Sequence, residues 1–91
     1  MSYAVRVTEL ARQKLREQPA ALHEAILGAF QQLAQSPTQM SRRSPGPPPG
    51  QLAELRLELS DELGIWIVIT FLYSQDEKTI YIERFLIEFG A

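Results

Sequence analysis

From Leu52 to Phe89 the chain carries three β-strand patterns in a row, separated only by polar turn segments. In the first, Ala53, Leu55, Leu57 and Leu59 alternate with Glu54, Arg56 and Glu58, which describes a strand with one apolar and one wet face. The second, Ile65 to Tyr73, is a near-continuous run of β-branched and aromatic residues and predicts a central strand covered on both faces. The third runs from Thr79 to Phe89, where Ile80 and Ile82 alternate with Tyr81 and Glu83 before Phe85-Leu86-Ile87. The intervening segments, residues 60–64 and 74–78, are polar and five residues long, which suits antiparallel hairpins.

The first half of the chain has a different rhythm. Tyr3, Val5 and Val7 alternate with Ala4 and Arg6 as a short first strand. Thr8 then stands where an N-cap belongs, because its hydroxyl can accept a bond from a free first-turn amide, and Glu9 suits the positive end of the helix dipole. A helix from Glu9 to about Glu17 follows. Pro19 is poorly tolerated inside a helix but favoured at the start of one, so a second helix begins there. In that helix Leu22, Ile26, Phe30 and Leu33 fall in one stripe beside Leu27 and Ala34, which predicts the face that packs on the sheet. The expectation is a single α+β domain over residues 1–91. It has two layers: an N-terminal strand and a helical hairpin packed on a mostly antiparallel sheet of three to four strands.

Between the halves, residues 36–51 hold five of the six prolines and show neither helical nor strand period. Pro47-Pro48-Pro49 favours an extended, solvated backbone, so a mobile surface loop is expected, either a tolerated insertion or a binding loop. With no cysteine, disulfides and thiolate metal sites are excluded, which fits the cytoplasm. No apolar stretch approaches the ~20 residues of a membrane helix. His23 is the only histidine and has no second ligand type beside it, so no metal site and no cofactor are expected.

Charge is distributed unevenly. Residues 1–51 carry six basic side chains (Arg6, Arg12, Lys14, Arg16, Arg42 and Arg43) against Glu9, Glu17 and Glu24. Residues 52–91 carry only Arg56, Lys78 and Arg84 against eight acids. An acidic sheet half counts against nucleic acid lying across it, since phosphate binding draws its affinity from Lys and Arg. Arg42-Arg43 is the one adjacent basic pair outside a predicted element, and it reads either as part of a solvated loop or as a small nucleic-acid contact. Arg56, flanked by Glu54 and Glu58, reads first as a surface or cross-strand ion pair worth about 0.2–1 kcal/mol.

The order strand, helix, helix, strand, strand, strand resembles the RelE/ParE family of small bacterial toxins. The likeness is carried by Tyr3-Ala4-Val5-Arg6-Val7-Thr8, Leu55-Arg56-Leu57, Ile69-Thr70-Phe71-Leu72-Tyr73-Ser74-Gln75-Asp76 and Ile80-Tyr81-Ile82. It implies the toxin component of a toxin–antitoxin pair, partnered by an antitoxin and acting on ribosome-bound mRNA or, in the other branch of the family, on gyrase. Attack of a 2′-hydroxyl on the adjacent phosphate builds negative charge that Arg and Lys stabilise while another group moves protons. Carried over to this chain, Arg56 and Arg84 would hold phosphate, with Tyr81 or Tyr73 as the aromatic hydroxyl. The third-strand arginine of the family has no counterpart, since the matching positions are Trp66 or Thr70. The resemblance therefore implies a toxin scaffold with an incomplete ribonuclease site.

A second expectation comes from the residues alone. If Ile65, Ile67, Ile69 and Phe71 face the helices, then Trp66, Val68, Thr70 and Leu72 face the other way, with Phe85, Ile87 and Phe89 extending that surface along the last strand. Two short helices do not cover both sides of a sheet. Trp66, Val68, Leu72, Phe85 and Phe89 are thus expected to bind a partner or a second copy in a homodimer, giving a non-catalytic interaction module as the alternative to a toxin.

Overall fold

The computed structural model describes residues 3–35 and 49–90. Strand β1 (Ala4–Val7) leads into helix α1 (Glu9–Glu17) and helix α2 (Ala20–Gln35). Strands β2 (Ala53–Ser60), β3 (Ile65–Ser74) and β4 (Thr79–Phe89) then form the meander. The sheet order is β1-β4-β3-β2, with β1 parallel to β4 and the other pairs antiparallel. This is the expected two-layer α+β arrangement. Most of the loop expected over residues 36–51, including Arg42 and Arg43, lies outside the described residues.

Local chemistry explains the helix boundaries. The Thr8 Oγ1 accepts from the Ala11 amide at 3.2 Å and donates to the Glu83 carbonyl at 2.6 Å, so one hydroxyl caps α1 and ties it to β4. At the other end, the Gln18 amide donates to the Leu15 carbonyl at 3.1 Å, and Pro19 separates the two helices. His23 takes a boundary position with Nε2 2.8 Å from the Gln18 carbonyl oxygen.

The core lies between the helices and one face of the sheet. Ala11, Ile26, Phe30, Leu33 and Ala34 pack over Ile67, Ile69, Phe71, Tyr73, Ile80 and Ile82. Each large side chain buried here contributes about 1.5–3 kcal/mol of transfer free energy. The helical stripe differs from expectation at one place: Leu27 is 49% exposed and Ala29 is buried instead. Ala29 follows Ile26 by three positions and precedes Leu33 by four, so the buried stripe is narrower than a reading that includes Leu27.

The β3–β4 ladder contains a phase change that corrects the sequence reading. Phe71 pairs with Ile82, but the preceding residue of β3, Thr70, pairs with Arg84, so Glu83 is an extra residue on β4. A bulge of this kind shifts the inward-outward alternation by one. Beyond it Phe85, Ile87 and Phe89 pair with Ile69, Ile67 and Ile65, on the helix side. Phe85 is accordingly buried to 5% exposure, with its ring 5.8 Å from that of Phe30 in an edge contact. Neither Phe85 nor Phe89 extends the surface of Trp66, Val68 and Leu72.

The β2–β3 hairpin closes against the end of β4. Gly64 has φ +62 and a Cβ there would stand 2.9 Å from the Gly90 carbonyl oxygen, while the Gly90 amide donates to the Gly64 carbonyl at 2.6 Å. Both the left-handed conformation and the close approach require glycine.

Candidate functional site

The sheet face turned away from the helices is organised in cross-strand rows. One row runs Glu54–Thr70–Arg84, the next Arg56–Val68–Leu86 and the next Glu58–Trp66–Glu88. At the far side, Leu72, Tyr81 and Arg6 form a further row, completed by β1. Register therefore places Arg56, Arg84 and Tyr81 on one open face, together with Arg6, Trp66, Val68 and Leu72. The expectation that β3 is covered on both faces does not hold: Trp66, Val68 and Leu72 are half-buried, and only Thr70 among their neighbours is buried. Among the described residues no helix lies over this side.

Sharing a face is not convergence. Tyr81 and Arg6 are direct cross-strand neighbours, and Arg84 lies three residues along β4. Arg56 sits on β2, two strand spacings or ~10 Å from β4. Its guanidinium lies over the Trp66 ring, 4.1 Å from the centroid, and its Nε donates to Glu88 Oε1 at 2.9 Å. Cation–π contact and ion pairing thus hold Arg56 across β3 toward the end of β4. Both side chains of the pair are about half exposed, so its net contribution is about 0–1 kcal/mol. Its larger effect is chemical, since a carboxylate already occupies the arginine expected to meet phosphate.

Tyr81 is held in a comparable way. Its hydroxyl donates to Glu77 Oε2 at 2.8 Å. That hydrogen bond, reinforced by desolvation and the negative charge of Glu77, raises the Tyr81 pKa above the ordinary tyrosine value, against an opposing influence from Arg6. At neutral pH the phenol keeps its proton and can serve as a donor, not as a base. The alternative hydroxyl, Tyr73, points the other way: it is buried on the helix side with its ring 5.9 Å from that of Tyr3. Tyr81 borders a cleft of about 470 Å³ lined also by Pro49, Gly50, Leu72, Ser74 and Glu77. Among the described residues no group of three or more His, Cys, Asp or Glu side chains is placed to hold a metal ion.

Sequence reasoning overlooked three participants. Arg6 reaches the open face only because β1 docks beside β4, and its signal was the alternation that sets it opposite Val5 and Val7. Glu77 and Glu88 entered only the count of acids in the sheet half, and their partners are known only from the fold.

No family model matches the sequence, and no curated protein matches it. Solved structures do. Over 99% of this chain and 100% of the other, it superposes on a chain of the toxin–antitoxin complex RelBE2 from Mycobacterium tuberculosis, at 22% identity and a TM-score of 0.60. A free-state mutant of the E. coli toxin RelE matches with a TM-score of 0.65 and 12% identity, covering 93% of this chain and 82% of that one. The fold is that of the RelE toxins. A chain of the archaeal RelE–RelB complex from Pyrococcus horikoshii gives a TM-score of 0.58 at 18% identity, covering 93% of each chain. The likeness covers 93–99% of this chain.

Proposed function

We propose that this protein is the toxin component of a type II toxin–antitoxin system, restrained by an antitoxin and with weak or absent ribonuclease activity. The observation that carries this reading is the RelE-like fold over the full chain, matched by structures described as toxin–antitoxin complexes. The open face supports the second clause. Arg56 is held by Glu88, Tyr81 is held by Glu77, and the third-strand position that would supply a further cation is Trp66 or Thr70. In residual RNA cleavage Arg56 and Arg84 would steady the phosphate as the 2′-O–P bond forms and the P–O bond to the departing oxygen breaks, with Tyr81 protonating that oxygen and water taking the proton of the 2′-hydroxyl. The setting for such activity is the cytoplasm.

Induced expression of this chain alone, with growth and ribosome-bound message followed together, tests the proposal. Growth arrest relieved by the cognate antitoxin supports it, and arrest without message cleavage points to a target such as gyrase. Normal growth and intact message overturn it and leave a second reading, a non-catalytic interaction module on the same fold. That reading is favoured by the half-buried Trp66, Val68 and Leu72 on a face where Glu88 takes Arg56.

A further inference from the structure

Strand β4 has two unequal halves. Its first half is paired on both sides, by β3 and by β1, but β1 pairing ends at Val7↔Ile82. Beyond Glu83, whose carbonyl is taken by Thr8, β4 continues to Phe89 with no strand on the β1 side among the described residues. Exposed edges of this kind offer a row of backbone donors and acceptors to another strand. The usual protections are a bulge, a proline or a run of charges. Here the bulge lies before the edge begins, and its centre is Phe85-Leu86-Ile87.

The flank of this edge is apolar as well. Leu10, Ala11 and Lys14 of α1 and Arg84, Phe85 and Leu86 of β4 line a cleft of about 230 Å³. Around it Leu10 is 64% and Leu86 55% exposed.

The order of side chains along the edge is self-complementary. In an antiparallel pairing of two copies about a two-fold axis at Leu86, Phe85 meets Ile87 of the second copy and Arg84 meets its Glu88. The axis repeats each of these contacts. Pairing partners share a face, so Arg84 and Glu88 of the two copies meet on the open side, while Phe85 and Ile87 meet on the helix side. Arg84 makes no ion pair among the described residues, and Glu88 has a second carboxylate oxygen beyond the one bound by Arg56. The same axis brings the two α1 helices together over the sheet, with Leu10 of each copy toward the other. We infer that residues 84–88 of β4 form an edge-to-edge docking surface for a second copy of this chain, joining two four-stranded sheets into one. The contact is isologous and closes on itself. It engages the open face only at the β4 margin, through Arg84 and Glu88, and it does not depend on the toxin reading.

The chain contains no cysteine, which makes a covalent test direct. In the paired state the two Leu86 residues stand opposite each other with Cα atoms about 4.5–5.5 Å apart, within reach of a disulfide. Mild oxidation of Leu86→Cys should give a covalent dimer, while Val68→Cys, on the open face away from the axis, should associate as the parent does and form no covalent crosslink. Sedimentation over a concentration series provides the second arm. Arg84→Glu and Glu88→Arg should each raise the dimer dissociation constant about tenfold or more, because two attractive pairs become repulsive. Mixing these two variants restores opposite charges at both positions and should recover association, with circular dichroism confirming that each is folded. A folded monomer at every concentration would overturn the inference. So would a crosslink through Val68 instead of Leu86, or association that ignores the charge swaps. Protection of this edge only on addition of an antitoxin would assign it to a strand of that partner and would also end the self-pairing.

Discussion

The two faces of this sheet are built from the same four strands and differ in almost everything else. On the helix side, Ile67, Ile69, Phe71, Ile80 and Ile82 are fully buried, and alternate residues of each strand converge on one core. On the open side Trp66, Val68 and Leu72 are only half-buried, and Arg56 lies over Trp66 and pairs with Glu88. The difference teaches that stability and chemistry have been separated by face: one side holds the domain together and the other decides what it can touch. Substitution should reveal that separation.

The largest contrast is between Phe71 and Trp66. Phe71→Ala should cost about 3–5 kcal/mol in urea unfolding, through lost burial and an unfilled cavity. Trp66→Ala, on the open side, should cost about 1 kcal/mol. Equal losses would break the distinction between the faces. Within β4 the same logic separates Phe85 from Phe89. Phe85→Ala should approach the Phe71 value, whereas Phe89, 72% exposed, should tolerate alanine within about 0.5 kcal/mol. The reverse order would place the bulge elsewhere.

Gly64→Ala should be destabilising by about 1–2 kcal/mol from its left-handed backbone alone, with the contact to Gly90 adding to the loss. The smallest effect belongs to Tyr81. Its pKa is raised in the folded chain, so its contribution to stability is complete below the pKa of an unfolded tyrosine and is lost as pH rises through the folded value. Glu77→Gln removes the carboxylate responsible, and tyrosinate absorbance should then appear at lower pH than in the parent. An unchanged titration would release Tyr81 from Glu77 and sharpen the case for a free proton donor.

Much of the architecture was legible because it is written locally. Thr8 and Pro19 mark helix ends through capping and the missing proline amide, and turn residues delimit β3 and β4 to within a residue. What escaped notice depends on register. Glu83 bears no mark of a bulge, since the run Ile80-Tyr81-Ile82-Glu83 reads as unbroken alternation. Phe85 was therefore assigned to the wrong side. Arg56 was expected to form a surface or cross-strand ion pair and does so, but the partner is Glu88, 32 positions later, which it reaches because Trp66 gives its guanidinium a surface to lie on. Local spacing carries no record of such a contact.

The extra residue at Glu83 has a consequence for how this sequence can change. Loss of that one codon would straighten the ladder and leave every pairing beyond it in place, with Arg84, Leu86 and Glu88 still on the open side and Phe85 and Ile87 still beneath the helices. A residue lost or gained between Arg84 and Phe89 has no bulge to absorb it and exchanges the faces of all that follow it. Position 83 therefore tolerates a deletion that the rest of the strand does not.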